Sequence, residues 1–313
     1  MASHTSKSVI YAALAGNAGI AAVKFAAAIF TGSAAMMSEA IHSLVDTGNQ
    51  LLLLFGLRRA ARPATAAHPF GHGLQLYFWT FVVAVLIFGV GALVSIFNGV
   101  EKLTNPHPVD DAWINYIVLG LSMLFEGAVW IVALRAFNTQ RGKTGLLAAI
   151  RASKDPTVFT VLFEDTAALT GLVVALIGVA GSQVLHMPVL DGIASIVIGL
   201  ILAVTAGFLA FESQSLLTGE AADPETRAGI ERIVKAEPGV ERLNEALTMH
   251  FGPSDVLVAL SLDFRDTLTA ADVERTVSRI ERAIKVAHPN VSRVFIEAQS
   301  FEAHLRSIKL AEG

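Results

Sequence analysis

Ser38-Glu39-Ala40-Ile41-His42-Ser43-Leu44-Val45-Asp46-Thr47-Gly48-Asn49-Gln50 places an imidazole and a carboxylate four residues apart. On a helix, His42 and Asp46 lie one turn apart on one face, Asn49 shares that face, and Glu39 lies a turn before His42. Such a pair can hold a divalent ion such as zinc when another helix completes the shell. The stretch sits inside an apolar run from about residue 32 to 57, long enough to cross a bilayer. In a soluble core the same pair would more often be a polar tie between helices. In hydrocarbon each ionisable group is costly, and this favours a metal-binding role.

A second polar pair, Glu164-Asp165, stands in another apolar run. Adjacent side chains diverge by about 100° on a helix, so one carboxylate is expected to face the His42–Asp46 helix and the other a different partner. Asp46 and Asp165 count to comparable depths, which would make a compact cation site with His42. Lys24 in the first apolar run is read as structural, by snorkelling or by pairing with a carboxylate on a neighbouring helix. Glu126 is open between a metal or proton group and a hydrogen-bonded strut. Asp191, following Pro188, reads as a first-turn residue near the outer interface. His68-Pro69-Phe70-Gly71-His72-Gly73 is either a two-histidine metal site of modest affinity or a tight turn with solvated rings.

The elements that must position these residues follow from composition. Of 313 residues, 53% are hydrophobic and only 16% charged, and mean hydropathy is +0.58. A soluble domain carries about a quarter charged residues, so a membrane protein in a lipid bilayer is expected. The net charge of -4 points to no nucleic-acid partner. With no cysteine, disulfides, thiolate-zinc sites and thiol chemistry are excluded, and with only 6 Met copper(I) is disfavoured. No Gly-x-x-x-x-Gly-Lys-Ser/Thr run supports an ATP motor.

Six apolar runs, at about 8–30, 32–57, 77–100, 112–136, 157–181 and 188–211, are each near or above the length a spanning helix needs. The first is read as a span and not as a cleaved signal. The fifth opens on Asp155-Pro156, an N-cap followed by Pro. Arg58, Arg59 and Arg62 follow the second run; Arg135, Arg141, Lys143, Arg151 and Lys154 flank the fourth. The positive-inside rule then puts both termini in the cytoplasm. The Ala-rich chain suits a bacterial inner (plasma) membrane. The expected organisation is a six-span transmembrane domain over residues 1–218 and a cytoplasmic α+β domain over residues 219–313.

In that second part Asp223-Pro224-Glu225 starts a helix to about Ala236. Residues 242–251 and 255–264 form a hairpin around Gly252-Pro253-Ser254, with Val256, Val258, Leu260, Leu262 and Phe264 on one buried face. Thr269 and Asp272 cap a helix striped by Val273, Val277, Ile280 and Ile284, and a strand follows at about 291–299. The αββαβ order suits a two-layer, ferredoxin-like domain able to pair with a copy of itself.

Over nearly its whole length the chain resembles the cation diffusion facilitator family. The resemblance rests on Ser38 to Asp46, Phe70-Gly71-His72-Gly73, Asp165 with Gly171, Asp191-Gly192 and Leu216-Leu217-Thr218-Gly219-Glu220. Glu164-Asp165-Thr166-Ala167-Ala168 is most similar to the zinc transporter nine-like branch. The resemblance implies a homodimer that exports divalent metal against protons, with no cofactor beyond the metal it carries. It carries His42, Asp46 and Asp165 over as ligands. Where the family has a fourth ligand, one turn before Asp165, this chain has Val161, so Glu164, Asn49, Glu39 or a water would complete the shell. Zinc follows from the resemblance; the oxygen-rich set also admits manganese, iron or cobalt. The last strand, Phe295-Ile296-Glu297-Ala298, lacks the histidine many members place there, and His250 alone reads as structural.

Binding needs a neutral imidazole and ionised carboxylates, so protons compete with metal at His42, Asp46 and Asp165. An imidazole, with an unperturbed pKa of about 6.5, is the natural exchanger. A membrane metal sensor without flux is the alternative of another class. An intramembrane metallohydrolase with Glu164 as base ranks last.

Overall fold

The computed structural model describes residues 4–141 and 156–311. Lys143, Arg151, Lys154 and Asp155, used above for orientation and capping, lie outside the described residues. Apolar runs become helices because only a helix satisfies its own backbone in hydrocarbon. They are α1 (His4–Thr31), α2 (Ala34–Ala60), α3 (Leu74–Leu86) continued through a π-helical turn (Ile87–Ala92) into α4 (Leu93–Thr104), α5 (Ala112–Arg141), α6 (Pro156–Val184) and α7 (Val189–Leu217). Each expected apolar run coincides with one of these rods.

Four rods, over residues 74–104, 112–135, 160–184 and 189–217, are both long and apolar enough to cross a membrane. In α1 the apolar segment of this kind is shorter, Asn17–Thr31. Helix α2 has the length, but its polar residues dilute its hydropathy. Ile29, Phe30, Leu124, Val204 and Phe211 are each at least 69% exposed. Large apolar side chains left open on several long helices are what a lipid solvent allows and water does not. The chain is a multi-pass membrane protein.

The turn between α1 and α2 fixes where the polar face of α2 begins. Gly32 adopts φ +64°, which favours a residue without Cβ, and its N–H closes α1 onto the Ala28 carbonyl at 2.9 Å. Ser33 then caps α2, accepting from the Met36 N–H at 3.1 Å. Asp191 lies in the first turn of α7, as expected. It is fully buried, and its carboxylate accepts from the Ser33 hydroxyl at 2.6 Å and the Ala34 N–H at 2.6 Å. It therefore acts as a second cap for α2, contributed by α7, because the unsatisfied N–H groups at a helix start attract an anion. Farther along, Ser38 Oγ meets Ser195 Oγ at 2.6 Å, and Ser195 donates to the Ser95 carbonyl at 2.7 Å. These bonds tie α2 to α7 and α7 to α4.

Residues 1–59 and 75–214 form one compact unit; residues 60–74 and 215–313 form the other. The second unit contains α8 (Pro224–Lys235), β1 (Val240–Gly252), β2 (Asp255–Phe264), α9 (Ala270–Ala287), β3 (Val291–Ala298) and α10 (Phe301–Ala311). The sheet order is β1-β2-β3, with β1–β2 antiparallel and β2–β3 parallel. Central strand β2 buries Val256, Val258, Leu260 and Leu262, as its alternation predicts, in one core with Ile230, Val234, Ile280 and Ile284. Each fully buried side chain of this size contributes about 1.5–3 kcal/mol. Asp223 caps α8 through the Thr226 N–H at 2.9 Å, and Thr269 and Asp272 close a capping box on α9.

Helix α10 was not anticipated. Its start is held from elsewhere: the Phe301 N–H donates to Asp263 Oδ2 at 2.9 Å, and Arg242 lies 4.0 Å over the Phe301 ring. The second unit also takes in the connection after α2. The Phe70 ring stacks on Phe251 at 5.0 Å, and Arg293 lies 5.1 Å over Phe70 while donating to the Pro69 carbonyl at 2.8 Å.

Candidate functional site

Helix α2 carries His42, Asp46 and Asn49 along one face, as the spacing predicts, with Ser43 and Gln50 beside them. His42 is 2% exposed, and its Nε2 stands 3.5 Å from Asp46 Oδ2. That separation is too long for a well-made hydrogen bond. Both ring nitrogens of His42 and Asp46 Oδ1 are buried and have no hydrogen-bond partner.

Helix α6 supplies the opposing groups. Glu164 is buried and accepts from Asn49 Nδ2 at 2.9 Å, a direct bond to α2. Asp165, beside it, is half-buried and keeps Oδ2 without a partner. The expected divergence of the pair is present, yet both reach the same space. Asp46, Val161, Glu164, Asp165 and Glu126 all line one cavity of about 60 Å³. That volume has room for a few waters or a partly hydrated ion.

Glu39 and Glu126 have a different attachment. Lys24 Nζ donates to Glu126 Oε1 at 2.8 Å, Ser43 Oγ at 2.8 Å and Glu39 Oε2 at 3.2 Å, so all three ammonium hydrogens have acceptors. Lys24 thus pairs with carboxylates rather than snorkelling, and Glu126 is a bonded group on the cavity wall. Gly171 on α6 makes room for this cluster: a Cβ there would lie 2.4 Å from Glu39 Oε1.

Sequence reasoning missed Ser43 and Gln50 as wall residues. Their signal was available, since they fall three residues before and four after Asp46. Asn17 on α1 also lines the wall, and nothing in its local sequence marks it. The rings of His68 and His72 lie 4.5 Å apart in the second unit, and Nδ1 of the buried His250 stands 3.2 Å from the Gly252 carbonyl. Among the described residues, no three His, Asp or Glu side chains are arranged to enclose a metal ion as they stand.

The arrangement sets several carboxylates around one small cavity, with the His42 imidazole and the Asn49 amide beside them on α2, and leaves buried atoms of His42, Asp46, Asn49, Glu126 and Asp165 without partners. Buried polar groups without partners are costly. A cation entering between α2 and α6 would supply what His42, Asp46 and Asp165 lack.

Comparison with known proteins points the same way. The family model for the cation efflux transmembrane domain matches residues 10–218. The chain is 30% identical over 266 residues to the mouse mitochondrial proton-coupled zinc antiporter SLC30A9, covering 82% of this chain and 47% of that protein. It is 29% identical over 263 residues to Metal tolerance protein C4 of Arabidopsis thaliana, covering 83% and 58%. It is 24% identical over 283 residues to the cation-efflux pump FieF of Escherichia coli, covering 88% and 89%. The chain spans about half the length of the SLC30A9 proteins it matches. With the match covering well over half its residues, the chain belongs to the cation efflux family, also called cation diffusion facilitators, a family of transporters and not of enzymes, in its SLC30A9-like branch.

Proposed function

We propose that this protein is a proton-coupled secondary transporter that exports a divalent cation, zinc foremost, through six spanning helices. The observation that carries the reading is the set of buried, partnerless atoms on Asp46 and Asp165, which line one cavity among the helices, and on His42, whose Nε2 stands 3.5 Å from Asp46 Oδ2. His42, Asp46 and Asp165 are the ligands; Glu164 and Asn49, already bonded to each other, complete the shell from its edge. Closing the shell requires α2 and α6 to draw these groups together, which a cation of charge two does by attraction to both carboxylates. Protons arriving at the same three side chains displace the ion, because imidazolium and carboxylic acid no longer coordinate it.

Zinc is preferred because SLC30A9 relatives are named as zinc antiporters and because His42 adds a nitrogen donor that borderline ions favour. Manganese, iron or cobalt would use the same oxygens. The C-terminal unit is read as a cytoplasmic, ferredoxin-like domain that pairs two chains, leaving both termini on the cytoplasmic side. Leu247 and Phe295, both more than half exposed and both opposite Ala259 in the register, give its sheet an apolar patch for that pairing. The histidines at 68 and 72 are not part of the transport site in this reading.

The test is metal uptake into sealed vesicles carrying the purified protein, with an imposed pH difference. Zinc flux that rises with the proton gradient and is lost in Asp46→Asn supports antiport. Metal binding without flux would instead make the protein a sensor.

A further inference from the structure

Five carboxylates, from Glu39, Asp46, Glu126, Glu164 and Asp165, cluster in one part of the helical unit, and Lys24 is the ammonium bonded among them. Glu39 and Glu126 each give one oxygen to Lys24, while the second oxygen of each, Oε1 and Oε2 respectively, is buried and has no hydrogen-bond partner. Each therefore retains an unused lone pair, that of Glu39 facing Gly171 on α6. Glu126 lines the cavity, and Ser43, the third acceptor of Lys24, sits on α2 between His42 and Asp46 in the sequence and on the cavity wall. Geometry alone does not keep Glu126 out of a metal shell. The ammonium does, by neutralising charge that would otherwise be offered to the ion.

We propose that Lys24 is a specificity-determining residue: a resident cation that withholds Glu126 from the transported metal, so that the site presents one imidazole and few carboxylates. The inference rests on the metal-site reading above. Hard cations such as manganese gain from each added carboxylate oxygen and tolerate six or more ligands. A borderline ion with four ligands, as zinc prefers, gains less once its shell is full. Withholding this carboxylate thus shifts preference toward zinc. The ammonium also has all three of its hydrogens satisfied, so it is held in place and does not compete for Asp46 or Asp165.

The test is competition of manganese against zinc for binding to the full-length protein, beside uptake of both ions into vesicles. In Lys24→Gln the manganese-to-zinc affinity ratio is expected to rise about tenfold, the scale on which ligand charge tunes hard-ion affinity. Glu126→Gln, which removes a withheld group, is expected to leave zinc binding unchanged while Asp165→Asn abolishes it. A folded Lys24→Gln protein with the wild-type ratio would overturn the proposal. So would a Glu126→Gln protein that loses zinc binding as Asp165→Asn does, and this arm decides if Lys24→Gln does not fold. Because binding is read separately from flux, selective binding without uptake would sink the transport reading and leave the assignment of Lys24 standing. Wild-type protein that binds neither metal would sink both.

Discussion

Gly171→Ala tests whether the packing of α6 against Glu39 holds the buried ion cluster together. A Cβ at this position would stand 2.4 Å from Glu39 Oε1, where ordinary contact begins at 3.4 Å, so the carboxylate must retreat by about 1 Å. Its other oxygen is already 3.2 Å from Lys24 Nζ, the longest of the three bonds the ammonium makes. A shift of that size away from Lys24 would break it. Lys24 keeps Glu126 and Ser43 at 2.8 Å each, so the loss is one charge-assisted bond and not the whole cluster. Such bonds contribute about 1.5–3 kcal/mol, while leaving a buried carboxylate wholly unpaired costs about 3–5 kcal/mol. We therefore expect Gly171→Ala to destabilise the protein by about 2 kcal/mol, measured by denaturant unfolding of detergent-solubilised protein. Glu39→Ala empties the space first, so Gly171→Ala should cost well under 1 kcal/mol in that background, and the two changes should be non-additive. Equal cost in both backgrounds would refute the reasoning, because the clash would then lie elsewhere on α6.

Asp165→Asn should abolish zinc uptake while Glu164→Gln, whose amide can still bond Asn49, should only weaken it; the reverse ranking in vesicle assays would make Glu164 the principal ligand. Val161 lines the same cavity as Asp165, so Val161→His should raise zinc uptake relative to manganese and make uptake more sensitive to acid, since a second imidazole must lose its proton before it binds; an unchanged ratio in folded protein counts against this. Phe70→Ala removes both the stack on Phe251 and the ring under Arg293, at a cost of about 1 kcal/mol, and should speed proteolysis within residues 60–74 of the full-length protein; an unaltered cleavage rate would show that the contact does not hold the segment. At Asp223 burial works against ionisation, but hydrogen bonds from Thr226 and the neighbouring backbone outweigh it and hold the carboxyl below the usual carboxylate range. A lowered folded-state value means the cap stabilises above the unfolded pKa of about 3.9 and fades as pH falls through the folded one. Asp223→Ala should thus loosen α8 by about 1 kcal/mol at neutral pH and by less in strong acid, read by hydrogen exchange; a pH-independent effect would contradict the assignment.

The sequence by itself determined whatever depends on neighbours along the chain. Apolar runs became helices because their length and composition leave the backbone no other partner. The four-residue step from His42 to Asp46 became one face of α2, and the alternation from Val256 to Leu262 became the buried side of β2. Caps at Asp223 and Thr269 were legible for the same reason, since a cap acts within three residues. Tertiary structure alone decided which distant charges meet. Lys24 joins Glu126, 102 residues away, and Asp191 caps a helix that begins 157 residues before it. Helix α10 is fastened at its start by Asp263 and Arg242, and the segment around Phe70 lies against β1 and β3. An isolated polar residue in an apolar run declares that it needs a partner, because hydrocarbon offers it none. Which partner it finds depends on how the helices pack, and no local pattern encodes that.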